Sequence, residues 1–260
     1  MVFDALLDAA ALRPADVEAL RFFGVAGALV PSSDAWHPAT AAGLREHWLA
    51  TAAAARSLRR AGLPAWAALG VDPRRIPRRG LAERLAELPD LLGRREVAAI
   101  GPAGLEAGGA LEEEVFLRQA RLAAELRLPL LVRAGWRARA RLTGRLLTLL
   151  EDVDLPPERV LVLHADARTL PVLRARGHRA LVTMPGRHGV EEAARLVARH
   201  GAEGIVLGSD AGGGGGDLLA LPRVADRLQR AGLSLAVIRR ACLTNALAWL
   251  GLEPGDLGAA

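Results

Sequence analysis

The chain has 260 residues, 34 basic and 29 acidic, for a formal net charge of +5 at pH 7. Half of it is hydrophobic, enough for one sizeable core, and so small a charge does not by itself call for a nucleic-acid partner. A single cysteine excludes an intrachain disulfide and a cysteine-based zinc cluster, and no uncharged run approaches the ~20 residues of a membrane span.

Short apolar runs alternate with longer helical patterns from end to end. The strand candidates are Val2–Leu7, Val25–Val30, Ala65–Val71, Val97–Gly101, Leu130–Arg133, Val160–His164, Ala180–Met184 and Ile205–Ser209. Most lack polar alternation, as expected of parallel strands covered on both faces. Helix candidates follow them at Ala15–Phe23, Ala39–Ala61, Leu81–Leu91, Glu112–Leu126, Ala138–Leu150, Thr169–Arg176, Val190–Arg199 and Leu218–Ala231. Asp217 stands where it can cap the eighth helix, Ser234 where it can cap a further one, and Thr244-Asn245-Ala246 reads as the start of the last. Cys242 lies in this final helical run and is expected to fill core space. Eight strand–helix pairs in this length predict a single-domain (β/α)₈ barrel over residues 1–252, with a frayed tail over 253–260. No segment reads as a signal peptide, so a cytoplasmic location is the expectation.

Barrels of this class place their sites at the carboxyl ends of the strands. The residues to inspect are therefore Asp8, Pro31 to Asp34, Asp72 to Arg79, Pro102 to Glu106, Arg133 to Arg137, His164 to Asp166, Pro185 to His188, and Asp210. Phe3-Asp4 at the start, Ala99-Ile100-Gly101-Pro102-Ala103-Gly104-Leu105-Glu106 in the middle, and Gly208-Ser209-Asp210 and Thr244-Asn245-Ala246 near the end form an ordered set. With it, the chain resembles the TatD-related metal-dependent hydrolases, a branch of the amidohydrolase-type barrels, along nearly its whole length.

That resemblance implies a metal site and shows where this chain departs from it. The family's first strand ends Phe-Asp-x-His-x-His, and here the two histidine positions hold Leu6 and Asp8. The family's fourth-strand glutamate is matched by Pro102 and its fifth-strand histidine by Arg133; the sixth-strand histidine remains as His164 and the eighth-strand aspartate as Asp210. Divalent metals lower the pKa of a bound water toward 7 and polarise the bond to be cut, and a catalytic zinc takes about three protein ligands. Asp8, His164 and Asp210 are the residual metal candidates, for one zinc or manganese ion. Arg133 argues against a metal, because two positive charges ~4 Å apart repel by ~4 kcal/mol at an effective dielectric of 20. An arginine there is expected to replace the cation and pair with Asp210 or Asp8.

Three functional readings follow. The first is a non-hydrolytic binding or accessory protein, without a metal, for an anionic small molecule or a protein partner. Asp8, Arg133, Trp136, Arg137, His164 and Asp210 are its ligand-binding candidates, since arginine forks suit phosphate and carboxylate and Trp136 can stack on a flat group. The second is a hydrolase of phosphoester or amide bonds on the reduced one-metal site, with His164 and Asp210 catalytic. The third is metal-free chemistry with His164 as base, oriented by Asp210. Arginines elsewhere near the mouth (Arg74, Arg75, Arg78, Arg79, Arg139, Arg141, Arg187) have a bland explanation: every basic residue of the chain is arginine. Gly212–Gly216 before a helix could hold phosphate through backbone N–H groups or be a plain loop. His37, His47, His178, His188 and His200 show no metal-ligand spacing, with His178 and His200 expected on the solvated surface. Nucleic acid enters only through the family, some of whose members are nucleases; the few aromatics make a poor stacking platform.

Overall fold

The computed structural model of the protein describes residues 1–32, 39–186, 189–212 and 216–258. Its strands are β1 (Val2–Asp4), β2 (Val25–Pro31), β3 (Ala65–Leu69), β4 (Val97–Leu105), β5 (Leu130–Ala134), β6 (Val160–Val162), β7 (Arg179–Thr183) and β8 (Ile205–Gly208). They form one parallel sheet in the order β1 to β8, which curls into a nearly closed barrel. The ends meet where Ala5 N donates to Leu207 O at 3.2 Å, Asp210 N to Leu6 O at 2.9 Å and Asp8 N to Ala211 O at 2.8 Å. The strands alternate with α1 (Pro14–Phe22), α2 (Ala41–Arg60), α3 (Leu81–Leu92), α4 (Ala110–Glu125), α5 (Arg139–Leu150), α6 (Leu170–Ala175), α7 (Gly189–His200) and α8 (Ala220–Arg230). The expected (β/α)₈ barrel is the observed architecture. Among the described residues no helix is long and apolar enough to cross a membrane.

Successive side chains of a strand face opposite ways, and two cores result. Val30, Ala67, Ile100, Val132, Val162, Val182 and Leu207 face the helices. Phe3, Leu29, Trp66, Leu131, Leu161, Leu181 and Val206 fill the barrel. Each large side chain buried this way contributes about 1.5–3 kcal/mol relative to exposure. Below them Leu247 and Trp249 close the floor.

Several elements differ from expectation for local reasons. β4 runs on through Pro102 to Leu105, where Gly-Pro had read as a stop. It still pairs with β5, through Ala103–Val132, Gly104–Arg133 and Leu105–Ala134. The final helical run does not restart at Thr244: α9 (Leu235–Arg239), a π-turn (Arg240–Thr244) and α10 (Asn245–Leu250) follow one another without a break. Asn245 lies inside this run, buried, donating to Ala202 O at 2.7 Å and Ile205 O at 2.6 Å. Ser234 caps α9 as expected, through Val237 N. Asp217 receives Leu219 N at 3.0 Å, a turn before α8 begins. Among the described residues the tail is packed rather than frayed: Pro254–Leu257 forms a 3₁₀ turn and buries Leu257 in the inner core. Cys242 is buried as expected, which pushes its thiol up to about 12 and makes it inert at neutral pH. His178 is not on the surface; tucked between α6 and β7 it is only 8% exposed, and burial lowers its pKa.

Candidate functional site

The mouth follows from strand parity. Arg133 comes two residues after Leu131 of the inner core, so it faces the barrel axis one layer higher; Thr183 stands in the same relation to Leu181. Asp72 follows β3 and caps the short turn Pro73–Arg75 through Arg74 N at 2.9 Å. Its carboxylate, 1% exposed, takes the Arg74 guanidinium in a two-pronged contact, Nε at 3.0 Å and Nη2 at 3.1 Å. Arg133 approaches the same carboxylate at 3.9 Å. Arg133 was expected to pair with Asp210 or Asp8; it approaches Asp72, because β3 and β5 both point an end at this spot, and its charge also acts on Asp210.

His164 and Asp210 leave their strands in the left-handed region, at φ 56° and 55°. Non-glycine residues held there carry local strain of order 1–2 kcal/mol. His164 Nδ1 lies 2.8 Å from Thr183 Oγ1, so Thr183 orients the imidazole, the place that the metal-free reading gave to Asp210. Burial, then the charges of Arg133, Arg139 and Arg74, lower the His164 pKa to about 3. The ring is therefore a neutral hydrogen-bonding group at neutral pH. Burial raises the Asp210 pKa, with Arg133 and Arg74 pulling it down and Asp8 adding to the rise. Asp8 is half-buried and accepts Ala10 N at 3.0 Å, while Leu6 is a buried hydrocarbon. Among the described residues no three His, Cys, Asp or Glu side chains converge closely enough to hold a metal ion, so Asp8, His164 and Asp210 are not gathered into one cluster.

A pocket of about 520 Å³ opens over the ends of β5, β6 and β7. Trp136, Arg137 and His164, all expected site residues, line it together; Asp8, Arg133 and Asp210 do not. Arg139 lies over the Trp136 ring at 4.3 Å and reaches Asp166 at 3.4 Å. Arg141, Arg168, Thr183 and Glu192 complete its polar wall. Arg168 and Thr183 escaped the sequence reading; for Thr183 the signal was its place two residues past an inward leucine at a strand's carboxyl end. The flanks of the glycine run serve packing. A Cβ on Gly212 would fall 1.8 Å from Asp8 O, and one on Gly216 2.5 Å from Asp210 O. Gly213–Gly215 lie outside the described residues, as do Ser33, Asp34, His37, Arg187 and His188.

No family model matches the sequence. An uncharacterized metal-dependent hydrolase of Methanocaldococcus jannaschii is 23% identical over 233 residues, 89% of this chain and 92% of that protein. The crystal structure of a TatD-like protein from Archaeoglobus fulgidus superposes with a TM-score of 0.78 at 24% identity, covering 96% of this chain and 100% of its own. A TatD homolog from Escherichia coli gives 0.72 at 19% identity, with 97% and 98% covered. Amidohydrolase and phosphotriesterase-type barrels are also among the structural neighbours. At these identities the likeness establishes the shared barrel.

Proposed function

We propose that this chain is a TatD-related barrel that has exchanged its metal centre for an arginine–aspartate network and binds a small anion at its mouth without hydrolysing it. The observation that carries the reading is the pair of guanidinium groups, Arg74 and Arg133, converging on the buried Asp72 carboxylate between the strand ends. A guanidinium facing the barrel axis would oppose a divalent ion bound beside it, since unit like charges ~4 Å apart repel by ~4 kcal/mol at an effective dielectric of 20. The residues present do not fit a metal in other ways. Leu6 and Pro102 offer no donor, and Asp8 turns one carboxylate oxygen to its own loop. The arginine-lined pocket beside this network supplies the anion site.

The second reading, a hydrolase on a one-metal site of Asp8, His164 and Asp210 holding zinc or manganese, is favoured by the metal-dependent hydrolase among the relatives. Mass spectrometry of purified protein, before and after incubation with zinc, manganese, iron and nickel, separates the two. The network reading expects no stoichiometric metal. About one equivalent that disappears in Asp210→Ala would overturn it in favour of the hydrolase.

A further inference from the structure

We propose that the anion taken by the mouth pocket is a phosphomonoester dianion attached to a flat ring, with the ring stacked on Trp136 and the phosphate held between Arg137 and Arg168. The inference rests on the reading of the mouth as an anion site and names what that anion carries. Four arginines line the pocket, Arg137, Arg139, Arg141 and Arg168, against two carboxylates, Asp166 and Glu192. The lining therefore holds an excess of two positive charges (four minus two) within one concavity. A phosphomonoester carries about −1.5 to −2 near pH 7 and matches that excess, whereas a carboxylate leaves half of it uncompensated.

The arginines divide into fixed and available groups. Arg139, its side chain 14% exposed, is held by Asp166 and by the Trp136 face. Arg141 is tied to Ala107 O at 3.2 Å. Among the described residues Arg137 and Arg168 have neither an ion pair nor a side-chain hydrogen bond, so their forks are open to phosphate oxygens. Trp136 calls for a different contact. It is 72% exposed, an unusual situation for so large an apolar surface beside a pocket, and Arg139 holds it in place. A guanidinium-backed indole offers a rigid platform on which a second ring stacks with little ordering cost. A cavity of about 520 Å³ accommodates a ring and a phosphate together.

Isothermal titration of the full chain with phenyl phosphate, adenosine 5′-monophosphate, inorganic phosphate, benzoate and adenosine tests this. Tryptophan fluorescence of a Trp36→Phe variant locates the event, because Trp48, Trp66 and Trp249 are at most 7% exposed and Trp36 lies outside the described residues. The two ring phosphates should bind roughly tenfold or more tighter than inorganic phosphate, the scale of one aromatic stack. Trp136→Ala should reduce them to the inorganic phosphate level and leave inorganic phosphate itself unchanged. Equal binding of inorganic and ring phosphates, indifferent to Trp136→Ala, would overturn the ring and leave the anion reading standing. Benzoate or adenosine binding as tightly as the ring phosphates would overturn the dianion. If none of the anions binds, the anion reading of the mouth falls with it.

Discussion

The seam of the barrel and the pocket at its mouth both gather polar side chains, to opposite ends. At the seam, Asp4 of β1 is 1% exposed and accepts Ser209 N at 2.9 Å, Leu6 N at 3.1 Å and the Ser209 hydroxyl. Every one of those donors would be stranded in a dry interior without it, so the carboxyl is spent on joining the first strand to the last. At the pocket, arginines outnumber carboxylates, and two of them have no side-chain partner among the described residues. Saturated polar groups hold a fold together, and groups with valence to spare await something from outside. The Arg74–Asp72–Arg133 network lies between these extremes: its carboxylate is buried like the seam, while its guanidinium groups reach toward solvent.

The largest effect should come from breaking that network at its centre. Asp72→Ala removes the carboxylate that Arg74 and Arg133 share, together with the cap on Arg74 N, and should cost about 2–3 kcal/mol in urea unfolding. Arg133→Ala should cost less, about 1–2 kcal/mol, because Arg74 still grips Asp72 with two nitrogens. Equal losses for the two variants would show that Arg133 and not Asp72 is the hub, and would return Asp210 to consideration as its partner.

The seam makes a prediction of its own in pH. Burial pushes the Asp4 carboxyl from 3.8 up to about 6, against the pull of its hydrogen bonds. Between those values the unfolded chain is ionised while the folded one keeps its proton. The stability this group provides is thus complete below pH ~4 and is lost as pH rises through about 6. A shift of this size corresponds to about 3 kcal/mol at most. Unfolding free energies measured from pH 4 to 7 should fall accordingly, and Asp4→Asn should remove that portion of the slope. An unchanged slope in the variant would mean that the carboxyl is already ionised in the fold.

Much of this was legible in the residues. Eight apolar runs with helices between them specify a barrel because parallel strands covered on both faces need no polar alternation. Local signals failed where tertiary contacts prevailed. Gly101-Pro102 reads as a strand end, yet β4 keeps pairing with β5 beyond it, and Asn245 reads as a helix start, yet it bonds two carbonyls at the floor from inside a continuous run. The inward place of Arg133 could be inferred from Leu131, two residues before it. Its partner could not, since Asp72 reaches it from a strand that is not its neighbour and 61 residues away (133 minus 72), and nothing local records that meeting. That Trp136, Arg137 and His164 share one pocket was open to inference because loops after barrel strands are few and short. Thr183 was missed because a threonine ending a strand is ordinary until its oxygen is seen beside an imidazole.

The smallest predicted effect is the one that decides what the pocket is for. Trp136→Ala should change unfolding stability by less than about 0.5 kcal/mol, as expected where a side chain is 72% exposed and leaves no cavity behind. A large aromatic that costs nothing to remove is not there to hold the fold. Its stack with Arg139 adds little at an exposed site, about 0.5–1 kcal/mol, offset in part by the water that replaces it. A loss of 2 kcal/mol or more on thermal or urea unfolding would instead make Trp136 a clamp on the Arg139–Asp166 pair. The pocket would then resemble the seam, its polar groups committed to the fold and its room for a ring a by-product of packing.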